Sequence, residues 1–324
     1  MVLVTHHNAS QSGVIVMYPE HKGQAVYILS VVSACTTFLV LLLRFWSRSL
    51  HASGFRSDDW TAAAAWPFVL AISVQTGLLL HHGFGFHITS VPPANMTFSL
   101  QVLYAGYLTY TAAMALIRIS VGLFYHRLFS IACPNFRYQV HANTLLNIIW
   151  LVGLNLAAAF ECTPVSAFWD KGIEGAKCMP TLNIQLGSVV PSVVLDLIAL
   201  IMPLPIIWKL HLSMQRKVML LGTFVLGYSV IFLSVGRLIT IARIERGLES
   251  DLTWYFVDVL IWLHVEMSVA SICISLPSCF SMIRRAREGG VGALISSRPL
   301  PQKYQKQDPD LAGEMAPAAD RDAV

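Results

Sequence analysis

Apolar residues in this chain come in long unbroken runs instead of alternating or forming narrow stripes. Seven runs, near 25–45, 59–81, 100–122, 142–162, 184–206, 217–241 and 254–277, each hold about 20 residues. That length crosses roughly 30 Å of hydrocarbon as a helix. Within a bilayer a segment has to satisfy its own backbone N–H and C=O groups, so each run is read as a helix. The pattern predicts an all-α, seven-transmembrane helix bundle over 25–284. A tail (1–24) precedes it, and a second tail (285–324) follows. The second tail mixes Gly-Gly, Pro, Lys, Asp and Ala without periodicity and is expected to be disordered.

Composition agrees with this reading. The chain has 324 residues, 55% hydrophobic and 12% charged, whereas a soluble domain carries about 25% charged residues. The net charge of +4 gives no reason to expect a nucleic-acid partner. The N-terminus lacks a basic segment followed by a short apolar stretch and a cleavage site, so the first span is expected to direct targeting.

The distribution of Lys and Arg sets the expected direction of the bundle. Of the 22 such residues, fifteen fall on one side, including Arg44, Arg48, Arg56, Arg127, Arg137 and seven from Arg284 to the end of the sequence. Five fall on the other, and Arg118 and Arg237 lie within spans. The N-terminus is therefore expected outside and the C-terminus in the cytoplasm. Two N-x-[ST] sequons, at Asn8 and Asn95, both fall on the outer side of this arrangement. The chain is thus expected to be a multi-pass glycoprotein of the plasma membrane or an endomembrane, with the lipid bilayer as its first partner.

Six cysteines occur without a CxxC pattern. On this orientation the segment FECTPVSAFWDKGIEGAKC (160–178) faces an oxidising compartment, where Cys162 and Cys178 can form a disulfide. The enclosed loop would be stabilised by about 3 kcal/mol. Pro164 and Gly172 suit a turn, and Phe168 and Trp169 suit the aromatic belt at the membrane interface. Two thiols without a neighbouring His are too few for a metal site. Cys35 and Cys273 are read as core residues, and Cys133 and Cys279 as reduced cytoplasmic thiols.

Ionisable side chains at membrane depth are costly and mark function or helix pairing. Here they are Asp59, Arg118, Glu161, Asp196, Arg237, Asp258, His264 and Glu266. Asp258, Trp262 and Glu266 are spaced i, i+4, i+8, so they share one face of the last span, expected to point into the bundle. As interhelical pairs, Arg118 would meet Asp196, and Arg237 would meet Glu161 or Asp258. Alternatively, Glu266, Asp196 and His264 would line a polar cavity that binds a ligand or moves protons. Glu266 is expected to lack a basic partner at its own depth, except His264. The stretch HHGFGFH (81–87) is read as a flexible polar loop in preference to a three-histidine metal site. Gly153, Ala157, Gly222 and Gly227 permit close helix packing, and Pro203 and Pro205 end or kink the fifth span.

Several segments together resemble the fungal rhodopsin-like integral membrane proteins, also called the SAT4 family, related to the PTH11-type receptors. They are FRSDDW (55–60), RISVGLFYHRLF (118–129), ECTPVSAFWD with its following cysteine (161–178), Asp196 with PLP (203–205), and Glu266 with Leu276-Pro277. The resemblance covers roughly residues 40–285. Arg118 stands where the family usually has Lys, and no eight-cysteine domain of the PTH11 type precedes the first span. The resemblance implies an association with a fungal secondary-metabolite pathway.

No cofactor is expected. The last span, WYFVDVLIWLHVEMSVASICISLP, holds no lysine, so no retinal Schiff base can form there. The third span ends in Tyr125-His126-Arg127 and the seventh lacks Asn-Pro-x-x-Tyr, so coupling to a G protein has no sequence support. The favoured reading is a sensor or receptor for a small lipophilic metabolite. One alternative is a metal-free membrane cyclase or isomerase in which an intramembrane carboxyl acts as general acid. The other is an accessory factor for metabolite export.

Overall fold

A computed structural model describes residues 22–50, 54–129, 135–170, 172–209, 214–244, 247 and 250–289. Its helices are α1 (Gly23–Ser49), α2 (Ser57–His81), α3 (Pro93–Phe129), α4 (Phe136–Ala159), α5 (Thr181–Ile201), α6 (Leu204–Lys209), α7 (Met214–Arg243) and α8 (Leu252–Gly289). Among the described residues, seven helical segments are long and apolar enough to cross a membrane. The protein is an integral, multi-pass membrane bundle. α3 overruns the apolar stretch that announces it, 100–122, by about two turns at each end, and α8 overruns 254–277 by about three turns at its C-terminal end. The chain breaks its fifth span at Met202 and Pro203, where α5 gives way to the short α6. Asn8 and Cys133 lie outside the described residues, as does most of the C-terminal tail.

Half of the apolar window of α3 and of α8 is buried, against 22–39% for the other five spans. These two helices therefore form the centre, and large apolar side chains on α1, α4 and α7 face outward. Leu39, Ile149 and Phe232 are examples of that lipid-facing surface.

α1 closes the ring against α8 through small polar groups. Ser33 and Ser268 lie 2.6 Å apart, and Ser47 donates to the Ser278 carbonyl at 2.8 Å. Arg44 donates to the Ile274 carbonyl, so two α1 side chains grip α8 on either side of Pro277. The same Arg44 pairs with Asp58 at 2.7 Å and Asp59 at 2.8 Å, and Arg48 joins both carboxylates at 3.1 and 3.2 Å. Both acids sit in the first turn of α2, where the exposed N–H groups favour negative charge.

The opposite end of the bundle is capped by two loops. Cys162 and Cys178 are bridged, and they face each other in a two-stranded antiparallel ladder, β1 (Cys162–Thr163) with β2 (Lys177–Cys178). Phe168, expected from sequence to suit the aromatic belt, faces the protein interior instead of lipid. It is buried with Ala167 in the core and packs 5.5 Å from the Tyr104 ring, with Trp169 at 5.7 Å. An aromatic ring suits either place, but here the short ladder turns it inward as a plug.

The second capping loop, 82–88, is docked instead of flexible. Phe84 is fully buried, with Gly83 and Gly85 at positive φ on either side. The Gly85 N–H donates to the Thr253 carbonyl, and the Thr253 hydroxyl donates to Phe86. His87 lies 2.5 Å from Asp251 and stacks on Trp254. The neighbouring Asp251 carboxylate also accepts from the Ile88 and Trp254 N–H groups, and the Thr253 hydroxyl lies 3.1 Å from it as a second place for its one proton. Partial burial alone would raise the Asp251 pKa, but these bonds outweigh it and hold the pKa below the usual carboxylate value.

Candidate functional site

Four of the charges within the bundle, Arg118, Asp196, Arg237 and Glu266, form one network in its middle. Arg118 on α3 meets Asp196 on α5 in a two-pronged contact, Nε to Oδ1 at 2.8 Å and Nη2 to Oδ2 at 3.0 Å. This is the pairing expected from sequence. The guanidinium lies 4.9 Å over the Trp150 ring of α4 and also donates to Ser192. Ser192 precedes Asp196 by one helical turn, so both face α3 from the same side of α5.

Arg237 does not meet Glu161 or Asp258. Its Nε lies 3.3 Å from Glu266 Oε2 on α8, and its guanidinium sits 5.2 Å over the Tyr110 ring. Glu266 therefore does have a basic partner. Arg237 stands 6 residues before the end of α7 and Glu266 14 residues into α8, about 9 and 21 Å along their own helices. Helix side chains lean toward their own N-terminus, and these two helices run in opposite directions. Arg237 thus leans deeper and Glu266 leans back, which closes the gap. Asp258 instead meets Lys22 at 3.4 Å near the rim and is one-third exposed. Glu161 is buried at the end of α4, close to Tyr107.

Ser234 on α7 joins the two ion pairs. Its hydroxyl lies 2.8 Å from Glu266 Oε1 and 3.1 Å from Asp196 Oδ2. Tyr110 donates to the other Glu266 oxygen at 3.2 Å. The network balances two arginines against two carboxylates. His264, expected with Glu266 and Asp196, stands apart. Residues two apart on a helix point in different directions, and its Nε2 instead contacts Thr76 on α2 at 3.0 Å.

A narrow cleft leads to this network from the half of the bundle that carries the disulfide. It encloses about 500 Å³ when its opening is counted. Leu79, Leu103, Phe256 and Leu260 supply apolar wall, Gln75 and Gln185 supply amides, and Tyr110 and Arg237 form the inner end. Gln185 donates to the Tyr107 hydroxyl at 3.2 Å, and Thr109 donates to Gln75 at 2.8 Å.

A family model described as the fungal rhodopsin domain matches residues 43–285, which include every charged member of this network. The chain belongs to this family. Curated relatives agree. The chain is 28% identical to a protein of Metarhizium anisopliae named polyenoic acids biosynthesis gene cluster protein Ba17b, over 90% of this chain and 83% of the relative. It is 25% identical to a SAT4 family membrane protein of Emericella nidulans, over 68% of this chain and 58% of that one. It is also 24% identical to Receptor GIN3 of Arthrobotrys oligospora, over 82% of this chain and 64% of that one. The chain thus spans less than two thirds of the length of the last two.

Within this fungal rhodopsin domain, sequence reasoning picked out the four charges but not the hydroxyls that connect them. Tyr110, Ser192 and Ser234 were available as signals. Ser192 and Ser234 fall one turn from Asp196 and Arg237, and Tyr110 falls two turns from Arg118. Asn95, the second sequon, lies in the first turn of α3 at the disulfide end.

Proposed function

We propose that this protein is a small-molecule sensor serving a fungal secondary-metabolite pathway. A lipophilic metabolite enters the cleft and is read by Arg237 and Glu266. The supporting observation is that the cleft ends on a charge network tying α3, α5, α7 and α8 together. A ligand touching Arg237 perturbs Glu266 and, through Ser234, Asp196 and Arg118. Binding is thereby converted into a change in helix packing, since such pairs have discrete arrangements. Similarity to relatives named for a biosynthesis cluster and as a receptor supports both halves of the reading. The positive charge distribution supports placing the disulfide end, and with it the half of the bundle that holds the cleft, outside. The lysine-free α8 supports a ligand other than covalently bound retinal.

The acid-cyclase alternative is less well served by the geometry. Glu266 accepts from two hydroxyls and faces a guanidinium, and Asp196 is held in a two-pronged arginine contact. Both carboxyls act as acceptors, whereas a general acid has to present a proton to its substrate. Deletion of the gene followed by metabolite profiling tests the proposal. A sensor leaves the product's structure unchanged and lowers its titre. An accumulated intermediate would establish an enzyme instead, and product retained in the cells would establish an export factor.

A further inference from the structure

The guanidinium at the inner end of the cleft restricts what can fill it. Arg237 is 1% exposed. Its Nε is within ion-pair distance of Glu266, but the N–H is not aligned on that oxygen and has no hydrogen-bond acceptor. A buried donor in that condition favours any ligand that brings an acceptor oxygen to it. Charge imposes a second restriction. Arg118 and Asp196 cancel, as do Arg237 and Glu266. A carboxylate or ammonium added beside them would be an uncompensated charge at membrane depth. The third restriction is shape and polarity, because the cleft is narrow, with leucine and phenylalanine walls and the side-chain amides of Gln75 and Gln185.

We infer that the ligand is an uncharged, slender, amphipathic molecule bearing an ester, amide or lactone carbonyl. Its carbonyl oxygen accepts from Arg237, and its hydrocarbon body lies along Leu79, Leu103, Phe256 and Leu260. This rests on the reading of the cleft as the metabolite site, and it adds the chemical class. A free acid fails on charge, and a plain hydrocarbon leaves the Arg237 donor unsatisfied.

The test uses the full chain in lipid nanodiscs and a matched long-chain series: primary amide, methyl ester, carboxylate salt and alkane. Thermal stability and competition binding are read for each, alongside a lipophilic extract of the organism's own culture. The amide and ester are expected to raise the melting temperature and to bind about tenfold more tightly than the carboxylate or alkane, the equivalent of one hydrogen bond. In the charge-balanced double variant Arg237→Met/Glu266→Gln, that preference disappears and all four probes bind alike. Should Arg237→Met/Glu266→Gln not fold, Arg237→Lys, which keeps the charge but moves the donor, is expected to reduce the preference. Carboxylate binding equal to or tighter than the amide overturns the inference, as does an alkane that matches it. An extract that stabilises the protein while all four probes fail overturns the ligand class alone. If neither extract nor probes bind, the cleft is not a metabolite site and the sensor reading falls with it.

Discussion

Ser234 stands between Glu266 and Asp196, 2.8 Å from one carboxylate and 3.1 Å from the other. A hydroxyl has one proton to donate, so it serves one carboxylate at a time, and the choice links α7 to α8 or to α5.

Ser234→Ala removes that link and leaves the two carboxylates facing each other with one donor fewer. Interhelical hydrogen bonds in membranes contribute about 0.6–2 kcal/mol, so a loss of about 1 kcal/mol is expected. A melting curve in detergent checks this, with Ser234→Thr retaining most of the stability. An unchanged Ser234→Ala curve would show that the hydroxyl is not needed to join the pairs.

The Arg118–Asp196 contact predicts a sharp asymmetry between single and double replacement. Arg118→Leu or Asp196→Leu each leaves a buried charge without its partner, a loss of about 3–5 kcal/mol. The double variant is expected to recover much of it, because the uncompensated charge is gone. Arg118→Lys keeps the charge but loses the fork and should fall between wild type and the single variants. Additive effects in a double-mutant cycle would mean that the two residues are not energetically coupled.

How much of this was legible in the sequence depends on what each residue's position alone determines. The seven spans were legible because a bilayer imposes both length and apolarity, leaving few alternatives. Arg118 and Asp196 were also matched correctly, since both fall in the same half of the bundle. Arg237 was misassigned because counting residues gives the depth of Cα, while a long side chain leaning along its helix reaches well beyond it. Phe168 was misplaced for a different reason. An aromatic ring fits a membrane interface and a protein core equally well, and only the folded loop decides between them.

The Cys162–Cys178 bridge closes a loop of about 15 residues, which the chain-entropy treatment equates with roughly 3 kcal/mol. Reduction under non-denaturing conditions, or replacement of both cysteines by serine, should lower thermal stability by a corresponding amount. It should also loosen Phe168 and so admit solvent to Tyr104. Hydrogen exchange across 162–178 measures this, and unchanged protection would show that packing alone holds the plug.

Asp251 predicts an acid-sensitive cap. Its pKa is held below the ordinary value near 3.9, so its contribution to stability is fully present above that value. The contribution is lost as pH falls through the lower pKa of the folded state. Amide protection in 83–88 should therefore hold steady near neutrality and drop in strongly acidic buffer. Asp251→Asn should weaken protection at neutral pH and flatten the acid dependence. A wild-type loop that stays protected through the acid range would remove Asp251 from this role.

The spacing of the ion pairs along the chain also bears on how the protein enters the bilayer. Arg44 finds its counter-charges only 14 and 15 residues later, at the start of the next helix, and Arg237 finds Glu266 on the next membrane span. Each of these hairpins can leave the insertion machinery already neutral. Arg118 is different, because its partner lies 78 residues on, beyond α4. During biogenesis α3 therefore carries a bare guanidinium until α5 has been made. The slowest and most chaperone-dependent stage of assembly is expected to lie between those two helices.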